Sequence, residues 1–176
     1  MKDGDSITMT AVVPTDLSPG AFTMELLKEP LSHYPTSDIL LHINPCSTNI
    51  VFNTRVSRHW QHAETIPNTH FCPGANFSMT IIACVGCYEI RVDGELIHAF
   101  KYRSQDKPQY AVIQGVSTVS NIQYQVGEPV NQECRATYSL TGNESAPQPW
   151  EGSVPNPPVR RSRRNIKKPD RLMDQY

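Results

Sequence analysis

The stretch NFSMTIIACVGCYEIRVDGELIHAFKY, residues 76–102, decides the fold class. It contains three short runs of apolar or alternating residues, at 76–84, 88–92 and 95–102, which is the pattern of β-strands. Asp93-Gly94 separates the last two runs and is a strong signal for a two-residue hairpin turn. Adjacent strands joined by tight turns predict an antiparallel meander.

The same pattern continues on both sides of this meander. Further strands are predicted over residues 6–13, 22–26, 39–44, 49–56, 110–114 and 120–126. About ten short strands without a convincing helical period predict an all-β protein, either an antiparallel β-sandwich or a barrel.

After residue 126 the composition changes. Residues 127–176 hold seven of the 15 prolines and few large apolar side chains, so they bury too little surface to offset their ordering entropy. Residues 1–126 carry 8 Lys and Arg against 11 Asp and Glu, whereas the tail carries 8 against 6. We therefore expect a mildly acidic domain over 1–126 and a disordered, Pro-rich tail over 127–176, with a basic cluster at 160–171.

The tail and the N-terminus bear on where the protein acts. The basic cluster is a solvated arm in one interpretation and a nuclear-import or nucleic-acid-contacting segment in another. No apolar run is long enough to span a bilayer, and MKDGDSITMT at the start lacks the apolar core of a secretory signal. We expect a cytoplasmic protein, with unconventional secretion or nuclear entry through the tail as the alternatives.

The five cysteines show no recognisable metal or disulfide framework. Cys84 and Cys87 form one CxxC, which we interpret as two half-buried side chains flanking a Val-Gly turn, because a metal site would need a second pair of ligands. The spacings typical of a catalytic triad, paired catalytic carboxylates or a phosphate-binding loop are also lacking. We expect no metal, no cofactor and no enzymatic activity.

A second stretch, ILLHINPCSTNIVFNTRVSRHW at 39–60, places polar side chains on strands. Alternate residues of a strand share a face. One apolar set is therefore predicted to point into the core, namely Ile39, Leu41 and Ile43. His42 and Asn44 then point the other way.

Asn53 and Arg55 share a face of the next strand, and Trp60 follows at the start of a third segment. If the three segments are neighbours in one sheet, four side chains converge on a shallow groove, namely His42, Asn44, Asn53 and Trp60. Neutral hydrogen-bonding groups beside an exposed indole suit a sugar, because hydroxyls need directional hydrogen bonds and the C–H face of a pyranose packs on an aromatic ring.

The order of these segments resembles that of the galectins, the β-sandwich lectins that bind β-galactosides. DILLHINP resembles the galectin strand that ends in His-x-Asn-Pro-Arg, VFNTR resembles Asn-Thr/Ser-Lys/Arg, and HWQHAET resembles Trp-Gly-x-Glu-x-Arg. The resemblance covers about residues 2–126 in unbroken order. It implies a galectin-like carbohydrate-recognition domain over 1–126, folded as an antiparallel jelly-roll β-sandwich.

The resemblance also implies a role for each groove residue. His42 and Asn44 would hydrogen-bond the axial hydroxyl that distinguishes galactose from glucose. Asn53 would bind the oxygen of the exocyclic hydroxymethyl group, and Trp60 would stack on the apolar face of the sugar ring.

Three positions depart from the galectin pattern, which has Arg, Glu and Arg where this chain has Cys46, Ala63 and Thr65. In galectins that cluster bridges galactose and the next sugar toward the reducing end. Losing all three leaves a neutral groove rather than an unpaired charge, but each lost charge-assisted hydrogen bond costs about 1.5–3 kcal/mol. Arg55 is the expected substitute because it shares a face with Asn53, whereas Glu64 would need a β-bulge to reach the groove.

The sequence therefore predicts a lectin of galectin type that recognises terminal β-galactoside glycans weakly or with altered specificity. Its partners would be glycans or glycoproteins that carry β-galactosides, and homodimers are a further expectation. The alternative is a galectin-fold protein-interaction module without sugar binding, which contacts nucleic acid through its basic tail.

Overall fold

The computed structural model describes residues 1–34 and 36–127. In this part of the chain, eleven strands form two antiparallel sheets, with a short 3-10 helix at Leu31–His33, and no helix is long or apolar enough to cross a membrane. The strands are β1 (Ser6–Val12), β2 (Thr23–Leu27), β3 (Ile39–Pro45), β4 (Asn49–Val56), β5 (His59–Trp60), β6 (Glu64–Pro67), β7 (Asn76–Cys84), β8 (Cys87–Val92), β9 (Glu95–Lys101), β10 (Tyr110–Gln114) and β11 (Thr118–Gln125). The predicted all-β fold is confirmed. The basic cluster predicted at 160–171 lies outside the described residues.

The two sheets have different strand orders. The first has the order β11-β1-β7-β8-β9, so the meander predicted over 76–102 forms one side of it. The second has the order β10-β2-β3-β4-β5, and β6 also pairs with β4. Asp93 and Gly94 turn between β8 and β9 with φ of 51° and 86°, as a two-residue hairpin requires, so that prediction is also confirmed.

The main core lies between the sheets. Ile81 and Ile90 of the first sheet and Leu41, Ile43 and Phe52 of the second belong to one cluster and are fully buried. Each such side chain contributes about 1.5–3 kcal/mol of hydrophobic free energy. One face of the second sheet therefore packs against the first sheet, as the predicted alternation of apolar and polar residues requires.

An extra residue in β3 changes which side chains reach this core. Ile39 lies opposite Arg55, and His42 lies opposite Asn53, so β3 advances three residues while β4 advances two. The bulge turns Ile39 to the other side of the sheet, where it joins a second, smaller apolar cluster. The prediction that Ile39 faces the main core is therefore wrong, because strand alternation does not continue through a bulge.

Candidate functional site

His42 and Asn53 are neighbours on the side of the second sheet that points away from the main core, which we call the outer face. The two residues pair across β3 and β4, and their row continues through Glu25 on β2 to Val112 on β10. In the adjacent row, Arg55 of β4 lies opposite Trp60 of β5. The sheet therefore brings all four predicted groove residues to the outer face, where Asn44, opposite Val51, is buried.

Trp60 forms the aromatic wall of this surface. Its ring lies 4.8 Å from the His42 ring, centroid to centroid, with the planes at 62°. It is nonetheless 48% exposed. Trp60 follows a tight hairpin in which Ser57 and Arg58 both have positive φ, of 49° and 68°. An edge-to-face contact on one side and open surface on the other leave the indole able to stack with a ligand.

A buried carboxyl group fixes the orientation of His42. The Nδ1 atom of His42 lies 2.8 Å from Oε1 of Glu25, which is only 3% exposed. This contact favours the tautomer with hydrogen on Nδ1, so that Nε2 is the ring nitrogen left to accept a hydrogen bond from a ligand. Glu25 could not be predicted as a site residue, because a single glutamate in the segment TMELL is typical of a solvent-facing position.

Asn44 is buried, and its amide group is fully occupied. Its Nδ2 donates to the backbone oxygens of Phe22, at 2.7 Å, and Pro45, at 3.5 Å. Its Oδ1 accepts from the backbone N–H of Gly20, at 3.1 Å, and from the Cys46 thiol, at 3.6 Å. An asparagine amide has two hydrogens and two lone pairs. The sugar contact predicted for Asn44 would therefore require one of these bonds to break.

Asn53 is as buried as Asn44, at 8% and 7% exposed, but fewer of its amide groups are hydrogen-bonded. Its Nδ2 donates to the backbone oxygen of Gln61 at 3.0 Å, and its Oδ1 accepts from the backbone N–H of Thr54 at 2.8 Å. The same oxygen is 3.4 Å from Nη1 of Arg103. Among the described residues one amide hydrogen is left over, which is enough for a single bond to a sugar oxygen.

Arg103 belongs to a charged cluster that was not predicted from the sequence. Its Nη2 lies 2.6 Å from Oε1 of Glu64, whose Oε2 lies 2.8 Å from Nε2 of His98. Burial alone would raise the pKa of Glu64, but its bonds to Arg103 and His98 outweigh that and lower the pKa. A guanidinium that was not predicted therefore lies beside Asn53, paired with the Glu64 carboxylate.

Glu64 itself does not reach the outer face. It lies opposite the buried Phe52, and the pairing of β4 with β6 continues without the register shift that the outer face would require. Arg55, the predicted substitute, does lie on the outer face. Its Nη2 donates to the backbone oxygen of Ser37 at 3.0 Å, and its guanidinium carbon is 5.4 Å from the centre of the Trp60 ring.

The comparisons with known proteins agree with this fold. A family model described as galactoside-binding lectin matches residues 1–126. The chain is a galectin. A variant of human galectin-16 shares 22% identity at a TM-score of 0.65, and the match covers 72% of this chain and 91% of that one. Sheep galectin-11 in complex with glycerol shares 14% identity at a TM-score of 0.64, over 71% of this chain and 92% of that one. At these identities the two structures show a shared fold. Curated protein sequences gave no significant match.

In this galectin the three departures from the family pattern occupy different environments. Cys46 is buried, and burial raises the pKa of its thiol, so it is a small apolar side chain and not a charged one. Ala63 and Thr65 are exposed. Cys46, Cys72 and Cys84 all carry free thiols. None of the three departures therefore restores the charge that the family has at these positions.

Proposed function

We propose that this galectin domain binds terminal β-galactoside glycans through His42, Asn53 and Trp60, weakly or with altered specificity. The observation that carries the proposal is the contact of the Trp60 ring with His42, while almost half of the indole stays exposed. A flat apolar surface beside oriented hydrogen-bonding groups is complementary to the two kinds of surface on a pyranose.

Each side chain takes one part of the sugar in this proposal. The Nε2 atom of His42 accepts a hydrogen bond from the axial 4-hydroxyl. The remaining amide hydrogen of Asn53 is donated to the oxygen of the hydroxymethyl group. Trp60 packs on the C–H face of the ring, and Arg55 beside it supplies a donor in place of the missing arginines. Asn44 supports the site by tying β3 to the segment before β2.

The affinity is expected to be lower than that of a galectin with the complete motif. The reducing-end neighbour of galactose loses its charged partners at Cys46, Ala63 and Thr65. Two lost charge-assisted hydrogen bonds, at about 1.5–3 kcal/mol each, correspond to about a hundredfold or more in the dissociation constant. Recognition would then rest mainly on the galactose itself.

The test is binding of the full chain to surfaces that carry N-acetyllactosamine at high density, with free lactose and free sucrose as competitors. The matched variants are Trp60→Ala and Tyr110→Ala, which each remove an exposed aromatic ring. We expect lactose alone to compete, Trp60→Ala to abolish binding and Tyr110→Ala to retain it. The proposal fails if the unmodified chain does not bind at high density, and binding that survives Trp60→Ala would place the sugar elsewhere.

A protein-interaction module is the second candidate, and the edge strand β11 favours it. Its sequence, TVSNIQYQ, has no charged residue and no proline, and Ile122 and Tyr124 are more than half exposed. Edge strands of this kind pair readily with a further strand, including that of a second copy. Ile122→Lys should then abolish any dimer seen by analytical ultracentrifugation, and a monomeric parent chain would exclude the homodimer.

A further inference from the structure

Part of the outer face is covered, although it points away from the main core. Leu27 and Ile39 are 0% exposed, and Val112 is 7% exposed. Ile39 lies opposite Arg55, and Val112 lies opposite Glu25, so this cluster belongs to the same surface as the proposed sugar site. Apolar side chains on an open face would be exposed, and a segment of the chain must therefore lie over them.

The covering segment belongs to the connection between β2 and β3, described over residues 28–34 and 36–38, which includes the short 3-10 helix. Tyr34, in this connection, packs against the cluster of Leu27, Ile39 and Val112. The Tyr34 ring also faces Arg55, whose guanidinium carbon lies 5.9 Å from its centre and 5.4 Å from the centre of Trp60. Arg55 thus links the cover to the aromatic wall of the site.

Several hydrogen bonds hold this connection against the sheet. The backbone N–H of Lys28 donates to the backbone oxygen of Asp38 at 3.2 Å, which closes the base of the connection. Two further bonds tie it to β4 and the hairpin that follows. Arg55 donates to the backbone oxygen of Ser37 at 3.0 Å, and the backbone N–H of Ser57 donates to Oδ1 of Asp38 at 2.7 Å. The cover is therefore an anchored part of the fold.

The proposed orientation of galactose determines which of its hydroxyl groups would point toward the β2–β3 connection. With the 4-hydroxyl at His42 on β3 and the hydroxymethyl group at Asn53 on β4, C5 lies on the β4 side of C4. C3 is the other neighbour of C4 in the ring, so the 3-hydroxyl points the opposite way, toward β2 and β10. In that direction the row continues through Glu25 and Val112, both of which are buried.

We propose that the β2–β3 connection closes the groove at this end, so that the site accepts terminal galactose with a free 3-hydroxyl and excludes glycans extended at O3. Tyr34 is the specificity-determining residue, because its ring occupies the surface over which the additional sugar would lie. This inference rests on the proposed function, since it takes the orientation of galactose from His42 and Asn53.

The experiment compares binding of the full chain to two immobilised glycans, N-acetyllactosamine and the same disaccharide with a further galactose α-linked to O3. We expect the unmodified chain to bind the terminal disaccharide about tenfold or more tightly than the extended glycan. Tyr34→Ala should reduce this ratio by improving binding of the extended glycan. Tyr34→Phe, which keeps the ring, should leave the ratio unchanged, as should Ile122→Ala on β11 of the other sheet.

Equal binding of the two glycans by the unmodified chain would overturn the inference and leave the proposed function standing. An unchanged ratio in a folded Tyr34→Ala variant would overturn the role of Tyr34. Binding of neither glycan would refute the proposed function, and the inference with it. The ratio measured on the unmodified chain decides the main claim even if Tyr34→Ala does not fold.

Discussion

Replacing Glu25 by leucine should weaken sugar binding without unfolding the protein. Glu25 lies behind His42, bonded to its Nδ1 atom at 2.8 Å, and the second carboxyl oxygen, Oε2, is buried without a hydrogen-bond partner among the described residues. The leucine side chain has a similar size but cannot hold the imidazole. His42 would then sample other rotamers and the other tautomer, so that Nε2 is no longer fixed as the acceptor for the axial hydroxyl.

The magnitudes follow from the two carboxyl oxygens of Glu25. The bond from Oε1 to His42 is of the charge-assisted kind, with a contribution of about 1.5–3 kcal/mol to folding, and this is the upper limit of the cost of ordering a freed imidazole on the sugar. The dissociation constant should therefore rise, by at most about a hundredfold. Leaving Oε2 buried and unsatisfied costs about 1–3 kcal/mol in the folded state, and the leucine removes that cost. The two contributions to folding nearly cancel, and the free energy of unfolding should change by less than about 1 kcal/mol.

The assay pairs binding to immobilised N-acetyllactosamine with urea denaturation of the same preparations. Glu25→Gln is the matched control, because its amide oxygen can still accept from Nδ1 and should keep most of the affinity. Undiminished binding by Glu25→Leu would show that Glu25 does not orient His42. A loss of affinity accompanied by an equal loss of stability would show that Glu25 supports the fold rather than the site.

Three further predictions concern the surroundings of the site. Arg103→Ala should weaken sugar binding and lower the free energy of unfolding by about 1–2 kcal/mol, because it removes the guanidinium beside Asn53 and leaves Glu64 with one partner fewer; binding assays and urea denaturation check both. Changing Ser57-Arg58 to Asn-Gly should raise the unfolding free energy by about 1–2 kcal/mol, because both positions have positive φ; a lower urea midpoint would contradict this. The contacts that lower the pKa of Glu64 stabilise the fold at pH values above 4.5, the ordinary pKa of a glutamate. This stability is lost as pH falls through the lowered pKa. Glu64→Gln should therefore flatten the decline of the urea midpoint below pH 4.5, and an unchanged decline would refute the assignment.

The strands could be predicted from the sequence because most of them alternate cleanly or end at strong turn signals. Asn49–Val56 and Asn76–Cys84 have the predicted bounds, and the Asp93-Gly94 turn lies where it was expected. The bulge in β3 could not be predicted, since ILLHINP is apolar at three successive positions and fits either register. The consequence was an incorrect face for Ile39, which is the residue that the β2–β3 connection covers.

In the candidate site, too, the residues placed by local sequence patterns could be predicted, and those placed by contacts between distant residues could not. The positions of His42, Asn53 and Trp60 on one face follow from short-range alternation and from the family motifs. Glu25 and Arg103 were missed because their roles depend on contacts with residues 17 and 50 positions away in the chain. Neither sequence spacing nor residue type marks such a contact before the sheets are assembled.

These distant contacts explain how the galactose-facing half of the site can persist while the other half is lost. His42 is held by Glu25, and Asn53 is held by the backbone of Gln61 and Thr54 with Arg103 nearby, and none of these bonds involves the positions where the family has its Arg–Glu–Arg cluster. The substitution at Cys46 reaches only Asn44, through the contact between its thiol and the amide oxygen. Asn44 is also the predicted sugar ligand whose hydrogen bonds are all satisfied within the protein. The loss of the charged cluster therefore affects the site through one residue and leaves the supports of the other two intact, so His42 and Asn53 can recognise galactose independently of the sugar that follows it.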